Sequence, residues 1–161
     1  IEATEFRMRA IHTPGHASNH LCYLVEEERM LLSGDHVIEG STVLIKPPDG
    51  DMGAYLASLE RIRSLRLRSI APGHGQLIEQ PAAVIDWYIQ HRLRREEKVV
   101  SALEEASGPV RIDDIVGVVY DDVTEDRLAV ARLSLHAHLL KLVADGRATG
   151  RTLTGTWELV A

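Results

Sequence analysis

Short apolar runs cut by glycine turns fill the first half of the chain, and stretches with helical spacing fill the second. Phe6–Ile11 alternates apolar and basic residues, the period of a half-buried strand, and runs into His12-Thr13-Pro14-Gly15-His16. Proline withdraws a ladder donor and glycine permits a sharp turn, so the strand must stop there. His20–Val25 reads as the next strand, and Glu26-Glu27-Glu28-Arg29 as a charged turn into Met30–Ser33. Val37–Ile45 continues as extended chain to the stiff loop Lys46–Asp51, whose last residue suits a helix N-cap. Met52, Tyr55, Leu56, Leu59, Ile62 and Leu65 then recur at helical spacing, with Arg61, Arg63, Arg66 and Arg68 along the solvated side and exit. Ser69–Ala71 is a further strand, ending in Pro72-Gly73-His74-Gly75.

Pro81 opens a helix that keeps its apolar period through about Ala106, either continuous or broken near Arg94. Its charged run, Arg92 to Lys98, reads as a solvated face with i,i+4 pairs. Ser107-Gly108-Pro109 interrupts the pattern. Ile112–Tyr120 predicts a short helix with Asp113 and Asp114 in its first turn, and Leu128–Ala144 a longer one stopped by Gly146. Arg147–Thr152 and Thr154–Leu159 follow as strand, turn and strand. Three helices closed by a hairpin resemble a winged helix. The expected organisation is an α/β domain over residues 1–91 and a small winged-helix-like domain over 92–161.

At 161 residues there is core enough for one or two small domains. The net charge of −6 argues against strong non-specific binding to phosphate backbones. From Arg92 onward acidic residues slightly outnumber basic ones, so a nucleic-acid surface would need a local patch such as Arg127, Arg132 and Lys141. A packing domain that shapes a substrate cleft is the plainer expectation. The single cysteine, Cys22, excludes an internal disulfide and is expected to be buried in Leu21–Val25. No stretch approaches a membrane span and no leader is visible, so a cytoplasmic protein without membrane partners is expected.

The candidate chemistry lies at the strand ends. Three apolar runs each finish in a glycine turn that carries His16, Asp35 or His74. Two imidazoles and a carboxylate are donors suited to Zn, Mn or Fe, and loops leaving one edge of a sheet bring them together. His138, two positions after His136, is a weaker lead. On a helix such residues point about 200° apart and do not chelate one ion, so both are expected at the surface or in packing.

His12–His16, Ser33-Gly34-Asp35 and Pro72-Gly73-His74-Gly75, in this order, resemble the later metal motifs of the metallo-beta-lactamase superfamily. The resemblance covers roughly Phe6 to Ile78. It implies His16 as a ligand of the first metal, Asp35 as the bridge between two metals, and His74 as a ligand of the second. His20 is then expected behind the ligands or in strand packing, and His12 and His36 as supporting groups. It also implies two zinc ions (Mn or Fe as alternatives) and a sandwich of two sheets with helices outside. One branch of the superfamily carries a winged helix after the last motif.

The family's first motif, His-x-His-x-Asp-His, has no counterpart here, and the chain begins with Ile1 rather than Met. The sequence is therefore expected to be the C-terminal half of a larger enzyme, with no complete catalytic apparatus of its own and no assignable substrate-binding residue. In that enzyme, the resemblance implies, hydroxide generated at the metals attacks an ester, thioester, amide or phosphodiester bond. A hydroxyacyl-glutathione-type thioesterase and a single-strand endoribonuclease both occur among such relatives, so the expected partner is a small (thio)ester or single-stranded RNA. The alternative is a non-catalytic module with an incomplete metal site that self-associates, most simply as a homodimer, to cover an exposed sheet face.

Overall fold

The computed structural model describes residues 6–160. The expectation attached to a beginning at Ile1 lies outside the described residues. The chain divides into two compact units, one holding the described residues through Val43 with Asp49–His91, the other Leu44–Pro48 with Arg92 onward.

The first unit is a four-stranded sheet in the order β1 (Met8–His12), β2 (Leu21–Val25), β3 (Met30–Gly34), β4 (Ser69–Pro72). β1 with β2 and β2 with β3 are antiparallel hairpin neighbours; β3 and β4 are parallel. Parallel neighbours need a crossover, and α1 (Met52–Arg63) supplies it. The first strand starts later than its alternation suggested, because pairing begins at Met8↔Val25 and persists to His12↔Leu21.

Register sorts the side chains by face. Ile11, Cys22, Leu24, Leu31 and Ile70 share one face, and all are buried. Met52, Tyr55, Leu59 and Ile62 of α1, Ile85, Tyr88 and Ile89 of the next helix, and Val37, Val43 and Ile78 from the connecting segments add further bulk to this unit's interior. Asp51 caps α1, its carboxylate accepting the Ala54 N–H at 2.7 Å. The helix stops at Arg63, so Leu65 falls beyond its stripe while Ser58 joins the buried side. Met8, Leu21, Tyr23, Val25, Met30 and Leu32 form the opposite face of the sheet, where none is buried and Leu21 is 41% exposed. Cys22 is buried as expected, and burial pushes its thiol up to about 11.

Helix α2 (Pro81–Ala106) is continuous through Arg94 over 26 residues. In the second unit it is followed by β5 (Val110–Arg111), α3 (Ile112–Val119), a tight turn at Glu125–Arg127, α4 (Leu128–Ala144), β6 (Ala148–Thr149) and β7 (Thr156–Leu159). The terminal hairpin gains β5 as an extra strand, making a three-stranded sheet β5-β7-β6. Val99, Leu103, Ile112, Leu135, Leu139, Leu142 and Trp157 form its core. An α/β core followed by a small winged-helix-like region is the fold.

The charged run of α2 departs from expectation: Arg92, Arg95 and Glu96 are buried rather than solvated. Their partners are remote in sequence. Arg95 grips the Asp122 carboxylate with both terminal nitrogens at 2.9 and 2.8 Å, and its guanidinium lies 4.2 Å over the Tyr120 ring. Glu96 receives Lys141 at 3.1 Å and Arg147 at 3.4 Å. A buried charge persists only when paired in this way.

Candidate metal centre

Strand direction gathers the candidate residues. β1 and β3 run the same way, β4 is parallel to β3, and β2 begins where β1 ends. The β1–β2 loop with His16 and His20, the residue after β3 (Asp35) and the turn after β4 (His74) therefore leave one rim of the sheet.

Glycines let these turns close. At Gly15, φ is +138° and a Cβ would strike Tyr55, its backbone N at 2.5 Å; the loop thus lies directly on α1. Ser58 Oγ donates to Pro14 O at 2.7 Å, the Asp51 N–H to Gly15 O at 2.9 Å, and Arg61 to His12 O at 3.0 Å. The Gly73 N–H donates to Gly34 O at 2.8 Å, tying the turn after β4 to the end of β3. A Cβ on Gly73 would meet Asp35 Oδ1 at 2.9 Å. A methyl there would push that carboxylate aside.

Asp35 and His74 meet: Nε2 of the imidazole is 3.4 Å from Oδ1, and the side chains are 50% and 77% exposed. His16 is half-buried and approaches His20, ring centroids 6.4 Å apart and nearly perpendicular. His20 shares a hydrogen bond between Nδ1 and the Thr13 hydroxyl at 2.9 Å, which fixes the ring. Burial lowers its pKa, the neighbouring His16 lowers it further, and Asp35 opposes both. His20 thus lies electrostatically between the two proposed ligands. His36 is fully buried, 4.8 Å from the Tyr55 ring and 5.5 Å from His20. Burial, then His20 and His16, bring its pKa down to about 3, and neither ring nitrogen has a hydrogen-bond partner among the described residues. His12 is exposed, its Nε2 2.9 Å from Ser18 O.

A paired, exposed carboxylate and imidazole in a cradle that a Cβ would fill fit a metal ion as two members of a ligand set. His16 does not join them in a closed group: among the described residues no three His, Cys, Asp or Glu side chains are grouped to hold an ion.

Elsewhere, His138 is buried beside Glu96, Nδ1 to Oε2 3.8 Å, and His136 packs edge-on to Trp157. Both are packing residues. Arg132 and Lys141, two of the three cations considered for a basic patch, are paired with Asp113 and with Glu96 and Asp145. Among the described residues no helix is long and apolar enough to cross a membrane. The buried Arg95 and Glu96 networks were missed in the sequence. A signal was present there, since Arg92, Arg95, Glu96 and Val99 share a three-to-four spacing with buried positions.

Residues 1–74 match the model of the metallo-beta-lactamase superfamily, and residues 112–157 that of the beta-lactamase associated winged helix domain. The chain is 33% identical over 141 residues to a beta-lactamase-like protein 2 homolog of Drosophila melanogaster, covering 87% of this chain and 47% of that protein. It is 34% identical over 148 residues to an atrochrysone carboxyl ACP thioesterase of Aspergillus chevalieri, covering 86% and 46%. The chain spans about half the length of the relatives it matches. A metallo-beta-lactamase family protein from Thermus thermophilus superposes with a TM-score of 0.82 at 23% identity, over 99% of this chain and 52% of that one. A beta-lactamase domain protein from Burkholderia ambifaria gives 0.83 at 20%, over 99% and 50%. These two likenesses bear on the fold alone. The ordered glycine turns and the sheet agree with both matches: residues 1–74 fall in the metallo-beta-lactamase superfamily and residues 112–157 in the winged helix domain associated with it.

Proposed function

We propose that this chain is part of a metal-dependent hydrolase of esters or thioesters, to which it contributes Asp35 and His74 as ligands, with His16 completing its share of the set. The observation that carries this reading is the 3.4 Å approach of Asp35 to His74 at the ends of adjacent parallel strands. Two zinc ions, or Mn or Fe in the same donors, supply Lewis acidity and a nucleophile at neutral pH. The chain's own residues hold the geometry. Gly73 leaves room for the carboxylate, the Gly73–Gly34 hydrogen bond fixes the gap between the two turns, and Thr13 holds His20 beside His16. With two donors meeting and no third grouped with them among the described residues, the chain by itself is inactive in this reading.

An acyl substrate is preferred to single-stranded RNA for two reasons. The net charge is −6 and Arg132 and Lys141 are neutralised by acids, so phosphate backbone gains little here. A relative at 34% identity is named a thioesterase. The test compares a thioester and an oligoribonucleotide on the complete protein, stripped of metal and reloaded, with Asp35→Asn and His74→Ala alongside. Thioester hydrolysis restored by metal and lost in both variants is expected. Full metal-dependent activity in either variant would overturn the ligand assignment.

The open sheet face favours a second reading for the chain in isolation, self-association as a dimer. Six large apolar residues, none of them buried, share that face with Ala10 and Ala71, and burying it against a second copy recovers about 25 cal/mol per Å². A monomer in sedimentation at micromolar concentration would exclude it.

A further inference from the structure

We infer that a groove beside the metal rim binds the apolar acyl portion of the substrate, an inference that rests on the hydrolase reading above. The groove encloses about 340 Å³ between the segment Ile38–Ser41 and the first turns of α2, within the first unit. That volume falls in the range of small-molecule pockets. Ile38, Ile78, Val84, Trp87 and Tyr88 give it apolar walls.

Those walls are fixed. The Tyr88 hydroxyl accepts the Ile38 N–H at 3.1 Å and lies 2.9 Å from Ile38 O and 2.5 Å from Ser41 O, so the segment is tied to α2 at both ends. The Trp87 ring stacks on His91, centroids 5.2 Å apart, and meets Tyr88 edge-on at 5.3 Å. It is nevertheless 46% exposed, and Leu77 nearby in sequence is 52% exposed. A tryptophan held rigidly yet left half in water is a ready contact surface, with little ordering entropy still to lose on binding.

The mouth of the groove adjoins the metal rim. Glu39, at the groove, donates its N–H to His74 O at 3.4 Å. A Cβ on Gly75 would lie 2.7 Å from Glu39 Cβ, so the turn carrying His74 touches the groove wall directly. Among the described residues no cation lines the groove and Glu39 is its one charged residue, which disfavours phosphate or carboxylate and favours an uncharged hydrocarbon. A thioester whose carbonyl would sit at a metal ion held by Asp35 and His74 can thus lay its acyl chain along the first turns of α2.

The test uses the metal-loaded complete protein and N-acetylcysteamine thioesters from acetyl to decanoyl, with decanoate titrated against Trp87 emission. Ala83→Phe narrows the groove from an exposed helix position without disturbing the interior. The expected kcat/KM rises about two- to threefold per methylene, somewhat less than full burial of each would give. Decanoate shifts Trp87 emission saturably, Trp87→Phe loses that shift, and Ala83→Phe flattens both responses. A chain-length series that is flat, with no saturable shift, overturns the groove while leaving the hydrolase reading intact. Saturable decanoate binding abolished by Ala83→Phe, in a protein that hydrolyses no thioester, upholds the groove and sinks the hydrolase reading.

Discussion

Glu96→Gln tests how the winged-helix region is held together. The Glu96 carboxylate is buried on α2 and receives Lys141 at 3.1 Å and Arg147 at 3.4 Å, with His138 at 3.8 Å. Glutamine keeps the volume and one acceptor oxygen but removes the charge. Breaking a buried pair typically costs about 3–5 kcal/mol because the abandoned charge stays desolvated. Two features reduce that here: Lys141 keeps Asp145 at 2.7 Å, and Arg147 is half in water. A loss of about 2 kcal/mol is therefore expected. For a region of this size that lowers Tm by roughly 8–15 °C.

The melt is followed by Trp157 fluorescence, since that indole is buried in the same core. The pH dependence gives a second check. Burial raises the Glu96 pKa, but His138 and Lys141 outweigh it and hold the carboxyl below its ordinary 4.5. A depressed carboxyl pKa means its stabilisation is complete above about pH 4.5 and lost as pH falls through the folded value, so the gap between wild type and variant should close in acid. Burial likewise holds the His138 pKa below 6.5, so the unfolded chain takes up that proton first and both proteins weaken below about pH 6.5. A gap under about 0.5 kcal/mol at neutral pH, within the range of an ordinary surface change, would refute the reasoning.

Gly15→Ala should cost about 3 kcal/mol or more in urea denaturation, because its φ of +138° and its contact with the Tyr55 backbone leave a methyl nowhere to go. An unchanged midpoint would contradict that close approach. Gly73→Ala, at a permissive φ, should leave the fold largely intact yet push Asp35 aside and lower metal affinity at least about tenfold in titration calorimetry. His36→Phe replaces a buried ring whose nitrogens lack partners among the described residues, so Tm should hold or rise. A fall in bound metal in that variant, by elemental analysis, would instead assign His36 a supporting role at the ions.

The glycine turns at Gly15, Gly34 and Gly73, the stripe of α1 and the break at Ser107–Pro109 are local in origin. They arise from backbone freedom and from side-chain period within a few residues, so the order of residues was enough to place them. The three turns carrying His16, Asp35 and His74 are legible as strand ends, but only the parallel register of β3 with β4 decides that those of Asp35 and His74 touch. Burial of Arg92, Arg95 and Glu96 was not legible as such. A charged run on a helix reads as solvated until something packs on it, and what packs on this one comes from Tyr120, Asp122, Lys141 and Arg147, 24 or more residues away. Periodicity records which side chains share a face of an element. Only the meeting of elements decides whether that face sees water or a counter-charge.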